Sequence, residues 1–301
     1  MGGSLILLCS LMNNLHLGPF RSMSISHDIF FYYHGLGDSL LFNSVVYELG
    51  RQTGKRYLIG TKHREIYEGN PYALILPFPQ YANYKIFRFI SPVLGLKIHH
   101  VDYYYEGRPP KQHILTLLGK RVGLETPLAR PSIFLNKREK ETRLLPESEK
   151  PWVGIQSTGL ALWTDNKNWG VDSFAEVANL LKDKFSILQL GQGGDPNLPV
   201  DLHLQGKLSI REVFIALRQC NLFIGQEGFL MHAATAVNLP AVVVYGGFLA
   251  PEQTGYAVNE NIYSAVECAP CWLETKCPYD KKCLTMIKPE IVAQKAISKF
   301  K

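Results

Sequence analysis

The sequence predicts an α/β protein built from two doubly wound units facing each other across a cleft. Three observations predict it. From Asp28 onward short apolar runs alternate with amphipathic stretches, the same rhythm restarts at Trp152 after a mixed-charge stretch bounded by proline, and several apolar runs end in glycine-containing turns. Alternation of this kind is the signature of βα units and a parallel sheet. The 301 residues are 46% hydrophobic and 19% charged, with 25 Gly and 18 Pro, which excludes collagenous, disordered and coiled-coil chains. Lys and Arg number 32 against 26 Asp and Glu. The resulting charge of +6 is too small and too dispersed for a nucleic-acid footprint, yet it suits anionic ligands or an anionic membrane face.

Residues 1–25 read as an N-terminal extension. The apolar run 4–12 falls short of the roughly 20 residues a membrane span needs, has no basic residue before it and is followed by Asn13 and Asn14. Met23, just before the first strand, is a second candidate start. With no later membrane segment, the cytoplasm is the expected compartment.

The first unit, 26–145, carries predicted strands at 29–33, 56–59, 73–76, 97–101 and 132–135 and helices at 39–51 and 111–122. From Asn136 to Pro151 the chain is rich in mixed charge and reads as a solvated crossing between domains, with a charged helix end as the alternative. The second unit, 146–301, opens with a strand at 152–156. A helix over 171–184 follows, with Phe174, Val177, Ala178 and Leu181 at i, i+3, i+4, i+7 spacing. A strand at 185–190 ends in Gly191-Gln192-Gly193-Gly194-Asp195. Ser209 and Glu212 form a capping-box pair opening a helix to Cys220. A strand at 222–225, a helix at 229–237 and a strand at 241–245, closed by Gly246 and Gly247, complete the series. Ligands bind such units at the carboxyl ends of their strands.

Three strand-to-helix turns carry candidate chemistry. His34-Gly35-Leu36-Gly37-Asp38-Ser39 follows the first strand. Its glycines let the backbone approach a ligand, and free amides at the helix start favour anions. The third glycine of a dinucleotide fingerprint is missing, so the cofactor NAD is not indicated. Asp38 reads either as a helix cap or as a general base at a cleft-facing strand end. The second turn runs from Gln156 through Ser157, Thr158 and Gly159 to Lys167-Asn168-Trp169. Its small donors and mobile cation suit a phosphate, with a solvated loop as the alternative. The third, Gly225-Gln226-Glu227-Gly228-Phe229-Leu230-Met231-His232, again presents a helix N-terminus to the cleft, with His232 equally readable as a structural histidine.

Four of the six cysteines fall within sixteen residues, as Cys268, Cys271, Cys277 and Cys283. Four thiolates this close can surround one tetrahedral zinc or iron ion. Two local disulfides, or reduced packing with Trp272 and Tyr279, are the alternatives. A closed four-ligand site would be structural. Cys9 and Cys220 receive no role. His99, His100 and the run Tyr103 to Tyr105 could line a sugar-binding surface, with a strand end and a surface loop as the equal alternative, and Asp195 reads as a ligand contact or, more commonly, a turn residue.

Taken together, Gly35-Leu-Gly-Asp38, Lys167-Asn-Trp169, and Glu227-Gly-Phe-Leu-Met-His232 followed by Asn238-Leu-Pro240 and Val242 to Gly246 resemble glycosyltransferase family nine, the heptosyltransferase family of bacterial surface polysaccharide synthesis. The resemblance covers about residues 28–298. It implies the GT-B fold of two Rossmann-like domains, with the acceptor held by the N-terminal half and a nucleotide-activated sugar by the C-terminal half. It also implies inversion at the anomeric carbon with Asp38 as base. Lys167, Ser157, Thr158 and the amides of Gly228, Phe229 and Leu230 would meet the diphosphate, with Glu227 and His232 in the donor motif. The chain contains no Asp-x-Asp pair, which agrees with transfer independent of a metal and of any catalytic cofactor. Familiar members carry Asp-Ser/Thr-Gly where this chain has Glu227-Gly228-Phe229, so the side-chain hydroxyl contacts made there do not carry over. Cysteine-bearing tails recur in the family, and autotransporter heptosyltransferases hold iron in one of different spacing.

The expected function is transfer of a sugar, heptose or a relative, from a nucleotide-sugar donor such as ADP-heptose to a bacterial glycan, glycolipid or protein acceptor, with peripheral inner-membrane association. A GT-B nucleotide-sugar epimerase and a non-catalytic nucleotide-sugar or glycan-binding protein are the alternatives.

Overall fold

The computed structural model describes residues 23–77, 80–157 and 164–300. The extension before Met23, with Cys9, lies outside the described residues, as do Thr158 and Gly159. Two sheets organise the chain. The first holds β1 (Ser24–Tyr32), β2 (Lys55–Thr61), β3 (Ala73–Ile75) and β4 (Lys97–His100) in the order β3-β2-β1-β4. The second holds β5 (Trp152–Ile155), β6 (Ser186–Gln189), β7 (Leu202–His203), β8 (Leu222–Gln226), β9 (Ala241–Tyr245) and β10 (Glu260–Tyr263) in the order β10-β9-β8-β5-β6-β7. Every described pairing is parallel, with Ile29 opposite both Leu58 and Ile98, and Ile155 opposite Ile224. The α/β architecture with two parallel sheets is the one predicted.

Parallel strands are covered on both faces, so they read as continuous apolar runs. In β1, Phe30 and Tyr32 enter one core while Ile29 and Phe31 enter another with Leu58, Leu74 and Phe87. All five residues of β9 are buried. The core beneath Phe30 and Tyr32 runs without a break into the second half, through Leu40 and Phe42 to Phe214, Met231 and Tyr245. Helix α1 (Leu36–Thr53) lies over the first sheet, α2 (Gln80–Leu94) and α3 (Ile114–Arg121) follow it, and the second half adds α4 (Val171–Leu181), α5 (Ile210–Arg218), α6 (Phe229–Ala236) and α7 (Pro289–Phe300). Ser209 caps α5 in the predicted box: its hydroxyl accepts from Glu212 N–H at 3.3 Å and the Glu212 carboxylate accepts from Ser209 N–H at 2.8 Å.

The strand predicted at 132–135 is absent, because its backbone groups are taken by side chains. Ser132 N–H donates to Ser44 Oγ at 2.7 Å, Ser132 C=O accepts from Asn43 Nδ2 at 3.1 Å, and Phe134 C=O accepts from Arg211 Nη2 at 2.8 Å. Arg211 also grips Glu139 at 2.7 Å and the carbonyls of Glu65 and Glu68, tying α5 to the first half. Asn136 caps a short helix, Lys137–Glu141, inside the stretch read as a crossing.

Strand order positions the site. In chain order the second sheet runs third, second, first, fourth, fifth, sixth, and the first sheet runs third, second, first, fourth. Open parallel sheets bind ligands where the order reverses, beyond the carboxyl ends of the strands. These reversals fall between β1 and β4 and between β5 and β8. The turns after all four strands reach one cleft.

Candidate active site

The cleft has a volume of about 380 Å³ and is walled by both halves. Gly35 to Asp38 arrive from β1, Lys62 and His63 from β2, Tyr103 and Tyr104 from beyond β4, Gln156 from β5, Glu227 to Phe229 from β8, and Phe248 and Leu249 from β9. Lys167, His232 and Trp272 complete the part that carries chemistry.

Asp38 sits in the first turn of α1, where its carboxylate accepts from Gly35 N–H at 3.3 Å and from the Tyr103 hydroxyl. Withdrawal from water raises its pKa above the ordinary carboxylate value, against the opposing pull of His34, the Tyr103 hydrogen bond and Lys167. Its cap and base readings are therefore compatible: one oxygen closes the helix start while the carboxylate faces the cleft. Tyr103 is itself bonded to Tyr104, hydroxyl to hydroxyl, at 3.2 Å.

Across the cleft, Lys167 ends a 3-10 turn, Asp165–Lys167, whose start is capped by Thr164 Oγ1 accepting from Asn166 N–H at 3.1 Å. The Lys167 ammonium meets Glu227 at 2.5 Å and lies 5.1 Å from the Phe248 ring centre. Gly228 caps α6 at φ +157°, a conformation open essentially only to glycine, and the N-terminal end of that helix, Gly228 and Phe229, lines the cleft. Where the halves meet, a Cβ on Gly37 would come within 3.1 Å of His232 Cδ2 and 3.6 Å of Phe229 Cα. His232 is 4% exposed and its Nδ1 shares a 2.6 Å hydrogen bond with Tyr256. Burial, and then His113 and Lys167, pull its pKa down to about 3. It is a neutral imidazole fixed at the junction.

Other sequence candidates fall elsewhere. Ser157 is fully buried and its hydroxyl accepts from Gln189 Nε2 at 3.2 Å, so Gln156 forms the wall at that turn. The Leu230 side chain packs in the core, and the group that the sequence puts forward there is its backbone amide, in the first turn of α6. Asp195 accepts from Gln192 N–H at 2.9 Å, the turn geometry. His99 pairs with Asp28 at 2.7 Å away from the cleft. Lys62, His63, Gln192, Phe248 and Trp272 were not among the sequence candidates for the cleft. Their signal is position, since most sit just beyond a strand end.

The four clustered cysteines do not gather as a tetrahedral site. Cys268, Cys271 and Cys283 are near enough for the other two to raise the Cys271 thiol beyond what burial does, and all three act on Tyr263. Cys283 Sγ accepts from Gly247 N–H at 3.1 Å, while Cys277 faces a separate hollow beside Asp165 and Lys281. Among the described residues no three Cys, His, Asp or Glu side chains are placed to hold a metal ion, and these cysteines are free thiols. The element does not fit the single structural zinc or iron ion that its spacing allows.

The sequence profile of glycosyltransferase family 9 (heptosyltransferase) matches residues 99–282, more than half of the chain. The chain belongs to glycosyltransferase family 9. Lipooligosaccharide heptosyltransferase 2 of Haemophilus influenzae is 29% identical over 126 residues, a stretch spanning 37% of this chain and 35% of that relative. The solved structure of E. coli ADP-heptose lipopolysaccharide heptosyltransferase II superposes with a TM-score of 0.67 at 15% identity, over 91% of this chain and 98% of that one. TibC, an iron-containing dodecameric heptosyltransferase from enterotoxigenic E. coli solved in complex with ADP-D-β-D-heptose, superposes at 0.69 with 17% identity, over 92% of this chain and 77% of that one. At these identities the structural likeness concerns the fold, GT-B with two parallel sheets. Within that family-9 fold, Asp38 and Lys167 stand on opposite walls of the cleft.

Proposed function

We propose that this family member is an inverting glycosyltransferase that moves a sugar, heptose or a relative, from a nucleotide diphosphate to a hydroxyl of a bacterial glycan or glycoconjugate. One observation carries the reading: Asp38 and Lys167, from the two switch points, face one cleft closely enough for the cation to act on the carboxylate. Asp38 takes the proton of the acceptor hydroxyl, that oxygen attacks the anomeric carbon, and the carbon–oxygen bond to the diphosphate breaks on the opposite face. The raised pKa makes Asp38 a stronger base than an exposed carboxylate. Negative charge grows on the departing diphosphate, where Lys167 and the amides at the start of α6 would meet it. Lysine and helix amides here take the part that a divalent cation plays elsewhere. Glu227 holds the Lys167 ammonium in register.

A peripheral membrane position for the acceptor side is supported by α2. Phe89 and Val93 are 85% and 82% exposed, Ile86 lies on the same face, and Lys85 and Arg88 flank them, with no acidic residue from 80 to 101. A basic helix with an apolar face suits an anionic lipid surface. No helix among the described residues is long and apolar enough to cross a membrane.

The donor assignment is tested by calorimetric titration with ADP-heptose, GDP-mannose and UDP-glucose against the bare nucleotides. One nucleotide-sugar is expected to bind, and Lys167→Met to weaken it. A wild-type protein that binds none of them would remove the donor site from this cleft.

A further inference from the structure

The cysteine element reaches into the cleft. Trp272, one residue after Cys271, lies with its ring stacked on Phe248 at 4.9 Å and 29°, and edge-on to Tyr104 at 5.9 Å and 78°. Both partners belong to the machinery above. Phe248 lies beneath the Lys167 ammonium, and Tyr104 is bonded to Tyr103, which is bonded to Asp38. Trp272 therefore stands on the path between the diphosphate side and the base, touching one aromatic ring from each half.

Two features set it apart from a packing tryptophan. Its indole Nε1 is buried with no hydrogen-bond partner among the described residues. A buried tryptophan donor ordinarily finds one, and an orphaned donor is costly. Its backbone also sits at φ +48°, a region that bulky residues seldom occupy and that persists only where surrounding contacts enforce it. Those contacts are present. Cys271 N–H donates to Gly247 C=O at 2.7 Å, Trp272 N–H to Phe248 C=O at 3.2 Å, and Gly247 N–H to Cys283 Sγ at 3.1 Å. On the other side Leu273 C=O accepts from Thr164 Oγ1 at 3.0 Å and Asn166 Nδ2 at 2.6 Å, just before Lys167.

We infer that Trp272 is a specificity-determining sugar contact: the apolar face of a pyranose ring lies on the Trp272 and Tyr104 side of the cleft, and a sugar hydroxyl accepts the orphaned indole N–H. The cysteine element is the bracket that presents it. This rests on the transferase reading. An aromatic face with a polar tip matches a sugar, which has C–H bonds on one side and hydroxyls at its rim. The sugar is either the donor's own or the acceptor's terminal residue.

The full-length wild type, Trp272→Phe and Trp272→Ala are compared by titration with ADP-, GDP- and UDP-sugars and the bare nucleotides, and by acceptor kinetics. Bare nucleotide affinity is expected to stay within about twofold in all three, since a change confined to the sugar leaves the nucleotide contacts alone. If the ring is the donor's, the extra affinity of nucleotide-sugar over nucleotide falls by roughly tenfold in Trp272→Ala, the worth of one good hydrogen bond or more. If it is the acceptor's, donor binding holds and the acceptor KM rises by a similar factor. Trp272→Phe keeps an aromatic face and removes only the N–H, so it shows a smaller change of the same kind and reports even if the alanine variant unfolds. Sugar affinity and acceptor KM unchanged in Trp272→Phe and in any folded Trp272→Ala would overturn the inference. A wild type that binds no nucleotide overturns the transferase reading and this inference with it.

Discussion

Lys167 and Glu227 meet at 2.5 Å across the turn where β8 gives way to α6, with Glu227 only 7% exposed. A carboxylate this enclosed needs its cation. The pair therefore fixes the ammonium at the cleft wall, on the side where the proposed diphosphate would depart.

Replacing Lys167 by Met removes the positive charge and leaves Glu227 alone. Turnover is expected to fall by about 10²-fold or more, as when a single donor to a developing anion is lost. Initial-rate measurements at saturating donor check this, and an unchanged kcat would release Lys167 from the leaving-group side.

The junction of the halves is sterically tight at Gly37. Because an added Cβ would meet His232 Cδ2 at 3.1 Å, Gly37→Ala is expected to cost about 1–3 kcal/mol from overpacking. Denaturant unfolding reads the loss. A variant as stable as wild type would show that His232 yields freely.

His232 also makes a prediction about acid. Its folded pKa of about 3 lies below the ordinary 6.5. Between those values the unfolded chain binds a proton that the native state refuses, so stability falls as pH drops below 6.5 and is fully present above it. The contribution is about 1.4 kcal/mol per pH unit in that window. Comparing wild type with His232→Gln at pH 7 and pH 5 isolates it: the wild type should lose about 2 kcal/mol more than the variant. Equal losses would mean that His232 titrates normally.

Phe89→Asp combined with Val93→Asp places carboxylates on the exposed face of α2. Co-sedimentation with vesicles containing phosphatidylglycerol is expected to drop to the level seen with neutral vesicles, while transfer to a water-soluble acceptor persists. Undiminished sedimentation would place the membrane contact elsewhere.

Much of this was legible in the sequence because parallel strands are buried on both faces. The runs at Ile29 to Tyr32 and Ala241 to Tyr245 cannot be mistaken for half-solvated elements, and the glycine turns that close such strands marked the cleft. Elements defined by their neighbours were not legible. Ile133 and Phe134 look like strand residues, yet Asn43, Ser44 and Arg211 take the hydrogen bonds that a sheet partner would supply. Helix α2 is rich in aromatics and contains Pro92, which hides its period. At the site, Asp38, Lys167 and Glu227 announced themselves by motif, whereas Ser157 has the right chemistry and points into the core toward Gln189. Trp272 carries no motif of its own and reaches the cleft only through the fold of the cysteine element around it.

The central claim is that Asp38 is the base of a sugar transfer. The most direct measurement compares wild type and Asp38→Asn for nucleotide-sugar binding and for product formation with the same donor and acceptor, across pH. Asn keeps the shape and the helix cap and cannot take a proton. Donor affinity and melting temperature should therefore hold while transfer falls by about 10²- to 10⁴-fold. The wild-type rate should decline toward acid through an apparent pKa above the ordinary carboxylate value. Wild-type turnover in Asp38→Asn would contradict the account.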